Sequence, residues 1–99
     1  MKKLFISQPM RGLTDGQILA VRAIAKQKAE NKLGESVEVI DSFFQSAPTT
    51  ATPLWYLGES LKLMSTADVV YFVYGWEQAR GCRIEHDCAR AYDLDMIEE

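Results

Sequence analysis

The run Val69-Val70-Tyr71-Phe72-Val73-Tyr74 constrains this chain more than any other segment. It is apolar without alternation, so a strand built from it is buried on both faces, and that requires helices above and below a sheet. It is also far shorter than the ~20 residues a membrane span needs. Two shorter runs of the same kind lie upstream. Leu4-Phe5-Ile6 is closed by Ser7-Gln8-Pro9, and Val37-Glu38-Val39-Ile40 leads into a turn-prone segment from Asp41 to Thr52. Helical signals separate the runs. Thr14-Asp15-Gly16-Gln17 has the spacing of a capping box. Ile18, Val21, Ile24, Ala25 and Ala29 fall within one broad helical stripe, Arg22, Lys26, Lys28 and Glu30 cover much of the rest, and Gly34 is a stop signal. Thr52-Pro53 sets a cap residue before a first-turn proline, after which Leu54, Leu57, Leu61 and Met64, with Trp55 alongside, keep a helical period to Ser65. A loop from Gly75 to Gly81 precedes a third helix carried by Ile84, Cys88, Ala91 and Tyr92, and Met96-Ile97 reads as a vestigial last strand. This alternation predicts an α/β fold: a three-layer sandwich around a parallel sheet of about four strands with right-handed crossovers. Residues 1–99 suit one domain.

Charge narrows the partners. Eleven Lys and Arg against fourteen Asp and Glu give −3, which speaks against a surface for duplex nucleic acid and leaves small anionic ligands open. Met1-Lys2-Lys3 begins like a signal peptide, but Leu4-Phe5-Ile6 is too short for its apolar region, so the expected compartment is the cytoplasm, with no membrane segment. Cys82 and Cys88 are six apart on one helix, about 600° of rotation, so they point apart and read as reduced thiols. Cys82, His86 and Cys88 do not all line up on one helical face as metal ligands, and neither HExxH nor CxxC occurs. No metal and no cofactor are expected.

In an open parallel sheet a ligand binds outside the carboxyl ends of the strands, which singles out three loops: Ser7–Leu13, Asp41–Thr52 and Gly75–Gly81. In the first, Ser7-Gln8-Pro9-Met10-Arg11-Gly12 offers a hydroxyl, an arginine fork and close backbone approach shortly before a helix N-terminus. The alternative is that Pro9 and Gly12 shape a turn and Arg11 is solvated. In the third, Glu85 follows Gly81 by about one helical turn, where the macrodipole favours an ionised carboxylate. Such a group can attack an anomeric carbon, or simply stabilise the helix. His86 points about 100° away from Glu85 and reads as a surface histidine. Glu59 and Ser60 tilt towards the cleft or lie exposed on the second helix. Trp76 and Tyr74 suit stacking on a base or sugar, a dimer contact, or anchoring of the loop. Asp68 opens the central strand, where capping or a turn is its expected role.

With these residues in place, the chain resembles the nucleoside 2-deoxyribosyltransferase-like superfamily, especially its short phage and bacterial members. The motifs are Phe5-Ile6-Ser7-Gln8-Pro9-Met10-Arg11-Gly12, Ala67-Asp68-Val69-Val70, Gly75-Trp76-Glu77 and Arg80-Gly81-Cys82-Arg83-Ile84-Glu85-His86. The resemblance implies a flavodoxin-like or Rossmann-like fold, a homo-oligomer, and cleavage or transfer at the N-glycosidic bond of deoxyribonucleosides or their 5′-monophosphates. It puts Glu85 at the nucleophile and gives Arg11 a 5′-phosphate to hold. Three positions depart from the pattern. Phe5 stands where active members have a tyrosine, Ala79 where the monophosphate hydrolases have a serine, and Ser60 where an aspartate assists the leaving base. Glu59 or Asp41 is then the candidate replacement acid. The chain also stops short of the last strand and helix of longer relatives, leaving a sheet edge. The expected function is thus nucleoside or nucleotide binding with glycosidic chemistry. The alternatives are a non-catalytic nucleotide-binding or sensing module of the same fold, and an interaction protein using Trp55, Tyr56 and Trp76.

Overall fold

The computed structural model describes all 99 residues. The apolar runs become strands β1 (Lys2–Ser7), β2 (Val37–Val39) and β3 (Val69–Phe72), and the last short run becomes β4 (Asp95–Glu98). Every pairing is parallel, and the strand order is β2-β1-β3-β4. The chain leaves β1 towards β2 and returns across it to β3, so the crossovers diverge at the carboxyl ends of β1 and β3. A crevice opens there as a matter of topology.

Local chemistry fixes the crossover helices α1 (Asp15–Leu33), α2 (Pro53–Met64) and α3 (Arg80–Ala91). At the start of α1 the Thr14 hydroxyl accepts from the Gln17 amide at 3.2 Å, and the Gln17 side chain accepts from the Thr14 amide at 2.9 Å. The helix ends at Gly34, whose φ of 71° lies in the left-handed region that glycine enters without a Cβ clash. Thr52 caps α2 by accepting from the Trp55 amide at 3.2 Å, with Pro53 in the first turn. At the amino edge of the sheet, Asp68 accepts from the Lys3 amide at 2.7 Å while its own amide donates to the Lys3 carbonyl at 2.9 Å. Asp68 therefore pins the register of β3 against β1.

The strands alternate between two cores. Leu4, Ile6, Val37, Val69, Tyr71, Val73 and Ile97 pack with Ala25 and Ala29 of α1 on one face. Phe5, Val70 and Phe72 pack with Met64 of α2 and Ala89 of α3 on the other. The result is the three-layer α/β sandwich that the unbroken apolar run demands. Burying side chains of this size removes ~1.5–3 kcal/mol each from the cost of ordering the chain.

Two helix faces differ from the sequence reading. On α1 the buried positions are Ile18, Arg22, Ala25 and Ala29, while Ile24 is 53% exposed. The period explains both, because Arg22 lies only about 40° round from Ile18 and Ile24 about 240°. Arg22 is thus a core residue rather than part of the solvated face. On α2 only Met64 is buried, and Leu54 at the first turn is 74% exposed, because that end of the helix overhangs the crevice instead of the sheet. No helix is long and apolar enough to cross a membrane.

Candidate functional site

The crevice at the switch point is a cleft of about 730 Å³, inside the ~300–1,000 Å³ typical of small-molecule sites. Its floor is the end of β1 (Phe5, Ile6) with the residues that follow, Gln8, Pro9 and Met10. Thr52, Leu54, Tyr56, Leu57 and Ser60 of the α2 region form one wall, Arg80, Gly81, Cys82, Ile84 and Glu85 of α3 another, and Ser42 closes the end beyond β2. The rings of Phe5 and Tyr56, aliphatic neighbours and a few polar groups suit a planar ring with a polar edge.

Glu85 is the one carboxylate among the lining residues. It is 7% exposed, and the Ser7 hydroxyl donates to its Oε1 at 2.6 Å, joining β1 to α3 across the floor. Burial is the dominant influence and raises its pKa from 4.5 to about 7, while the hydrogen bond from Ser7 and the nearby Ser60 hydroxyl on α2 act in the opposite direction. The helix start was expected to hold this carboxylate ionised; desolvation prevails instead, and the group is poised between its two protonation states at neutral pH. Beside it Cys82 is buried, and the same desolvation pushes its thiol up to about 11. That thiol stays protonated and inert. Cys82 and Cys88 are both free.

The α3 wall adds a second polar feature. Ala79 caps the helix without a side-chain hydrogen bond, and the first bond within the helix runs from the Arg83 amide to the Ala79 carbonyl at 3.0 Å. The amides of Arg80, Gly81 and Cys82 are therefore left unsatisfied by the helix, at the positive end of its dipole.

A third feature lies behind Ser42. Arg22 is 7% exposed; its Nη2 donates to the Ile40 carbonyl at 3.1 Å and to Ser42 Oγ at 2.9 Å, and its Nη1 has no partner. Burial lowers its pKa and the charge of Asp41 partly opposes this, but no carboxylate touches the guanidinium. Gln8 is similarly buried: its Nε2 donates to the Ile18 carbonyl at 3.1 Å, and its Oε1 has no partner.

Of the residues singled out from the sequence, the fold brings Ser7, Gln8, Pro9, Met10, Ser60, Gly81 and Glu85 to the cleft or its floor. Others lie elsewhere. Arg11 and Gly12 are exposed outside the lining, and Gly12, at φ 83°, turns the chain in the left-handed region. Asp41 is exposed beyond Ile40, close enough for its charge to bear on Arg22. Glu59 is outside the lining and pairs with Lys62 at 2.9 Å. Trp76 is on the outer side of α3, stacked on His86 with ring centroids 4.1 Å apart and planes 14° from parallel. His86 also bonds Glu98 of β4 and its side chain is 12% exposed, so it ties α3 to the sheet edge instead of standing free at the surface.

Ser42, Arg22, Arg80 and Cys82 belong to the site or its support without being marked for it in the sequence, where Arg22 reads as solvated and Cys82 only as a reduced thiol. Arg80 carried a legible signal, a cation opening a helix directly after the β3 loop. The Arg22–Ser42 bond spans twenty residues of sequence, and no local pattern announces it.

No curated protein and no solved structure matches the chain. A family model does match, over residues 2–98, which takes in every strand, every helix and the whole cleft, and the chain accordingly belongs to the DUF4406 family, a domain of unknown function.

Proposed function

We propose that this protein binds a deoxyribonucleoside or its 5′-monophosphate in the cleft and cleaves the N-glycosidic bond through Glu85. The observation that carries this reading is the buried Ser7–Glu85 pair in a cleft lined also by Phe5, Tyr56 and aliphatic side chains. The motif resemblance at Glu85 supports it.

In this scheme the ionised Glu85 oxygen forms a bond to the anomeric carbon as the C–N bond breaks, and the electron pair departs with the base, which takes a proton from water. Water, or a second base, then attacks the same carbon and releases Glu85. Ser7, by donating to Oε1, fixes the carboxyl and lowers the cost of its charge. The free amides at the start of α3, with Arg80 beside them, give a 5′-phosphate a place to sit within the same cleft.

A second reading has its own support. Ser60 stands on α2 where an acid would face the leaving base, and no second carboxylate lines the cleft, which favours a module that binds a nucleotide without cleaving it. Incubation with a panel of deoxyribonucleosides and 5′-monophosphates, followed by chromatography for free base, separates the two. Base release that disappears in Glu85→Gln is the expected result. Absence of release together with a nucleotide-induced rise in Tm replaces cleavage with binding; absence of both removes the nucleotide reading altogether.

A further inference from the structure

Resting on that glycosidic reading, we infer that Ser42, held and polarised by the buried Arg22, binds a carbonyl oxygen of the base and stabilises it as it leaves. The pair thereby selects oxo-bases over adenine. Three observations converge on it. Ser42 lines the cleft at its β2 end, beyond the floor where Glu85 sits. Its oxygen accepts from Arg22 Nη2 at 2.9 Å, so its own proton is free to be donated into the cleft. Arg22 is a buried cation with no carboxylate in contact and with one nitrogen unpartnered.

The chemistry explains why such a cation is useful there. As the C1′–N bond breaks, both electrons pass to the base. In a base with a ring carbonyl the charge spreads to that oxygen, and a hydrogen bond from a hydroxyl that itself accepts from a guanidinium strengthens as the charge grows. Water supplies the proton afterwards. This does electrostatically what a general acid at position 60 would do by proton transfer. Ser42 touches the base, whereas Arg22 acts through it as a positioning residue. Adenine has no ring carbonyl and leaves the Ser42 proton without an acceptor.

The 5′-monophosphates of deoxyinosine and deoxyadenosine differ by one exocyclic group, oxo against amino, and make the decisive pair. Base release and Kd are measured for both with the wild-type chain, Ser42→Ala, Ser42→Thr and Arg22→Lys. The expected wild-type preference is about tenfold or more for the oxo compound, the scale of one charge-assisted hydrogen bond. Ser42→Ala abolishes the preference by slowing the oxo substrate alone, Ser42→Thr restores it in part, and Arg22→Lys reduces it. A merely structural role for Ser42 weakens both ligands equally and leaves their ratio unchanged, which overturns the inference while base release still upholds Glu85. Equal handling of the two compounds by wild type overturns it as well. Failure of every nucleotide either to bind or to react removes the parent reading and this one together.

Discussion

Two buried charges flank the cleft, Glu85 lining it and Arg22 set behind Ser42, and they behave differently. Glu85 and Arg22 are each 7% exposed, and each is partnered by a serine rather than an opposite charge. A carboxyl that burial penalises can take a proton, and Glu85 does so, with its pKa up at about 7. A guanidinium has no such escape in any ordinary pH range, so Arg22 stays charged and spends its hydrogen bonds on Ile40 and Ser42. One end of the cleft therefore carries an adjustable charge and the other a permanent one. That is a sensible division where a nucleophile must form and break a bond while a second group only receives charge as it develops.

The largest effect expected from breaking this arrangement is on chemistry. Glu85→Gln keeps the size of the side chain and an acceptor for Ser7 but removes the proposed nucleophile, so under the proposed mechanism base release is expected to fall by on the order of a thousandfold or more. Chromatographic turnover measures it, and a loss under tenfold takes the nucleophile away from Glu85. The same variant changes stability in the opposite direction. Between the unfolded pKa of 4.5 and the native value of about 7 the folded chain holds a proton that the unfolded chain releases, so stability falls as pH rises across that window. The full cost at pH 8 is of order 3 kcal/mol at ~1.4 kcal/mol per pKa unit. Thermal melts should show Glu85→Gln gaining on the order of ten degrees or more over wild type at pH 8 and little at pH 4.5. A parallel pair of Tm-versus-pH curves contradicts the buried, proton-holding carboxyl.

Arg22 gives the contrasting test. Arg22→Ala leaves the Ile40 carbonyl and Ser42 unpaired and opens a void beside Ala25, costing about 2–4 kcal/mol. Because arginine does not titrate, the loss should be nearly the same from pH 5 to pH 9 in chemical denaturation. A cost that varies steeply with pH makes Asp41, and not the buried hydrogen bonds, the partner that matters.

The same contrast marks what the sequence makes legible. Glu85 stands just over one turn into α3, which starts at Arg80, one residue before the Gly81 that the sequence reads as the end of the loop. Its place at the carboxyl edge follows from counting residues. Thr14, Gly34 and Thr52-Pro53 likewise mark α1 and α2 through chemistry local to a few residues. The run Val69–Val73 demands cover on both faces, and the sandwich supplies it. Arg22 is another case, for its charge conceals a position whose helical phase places it inside with Ile18, Ala25 and Ala29. Trp76 is equally instructive: the β3 loop carries it past the strand end, where it stacks on His86 outside the cleft. Contacts between distant elements decide the placement of Trp76 and the partners that Arg22 finds.

Ser7 sharpens the comparison by a smaller amount. Ser7→Ala removes the 2.6 Å hydrogen bond that opposes desolvation of Glu85, so the carboxyl becomes harder to ionise and its pKa moves above about 7. A bond of this kind contributes ~1–2 kcal/mol, which corresponds to roughly one pKa unit. The pH at which base release reaches half its plateau should rise by about that much, while the plateau at high pH falls less. An unmoved midpoint with a lowered plateau assigns Ser7 to positioning of the carboxyl rather than to its charge.

Glu59 supplies the smallest expected effect. It shares α2 with Ser60, and the family resemblance makes it a candidate replacement acid, but its carboxylate bonds Lys62 at 2.9 Å on a partly exposed helix surface. A pair of that kind contributes within about 0.5 kcal/mol. Glu59→Gln should therefore shift Tm by a few degrees at most and change base release by less than twofold. A drop approaching that of Glu85→Gln, with an acidic limb lost from the pH profile, means that Glu59 leaves Lys62 and reaches the departing base when ligand is bound. That outcome overturns the proposed role of the Arg22–Ser42 pair in receiving the developing charge.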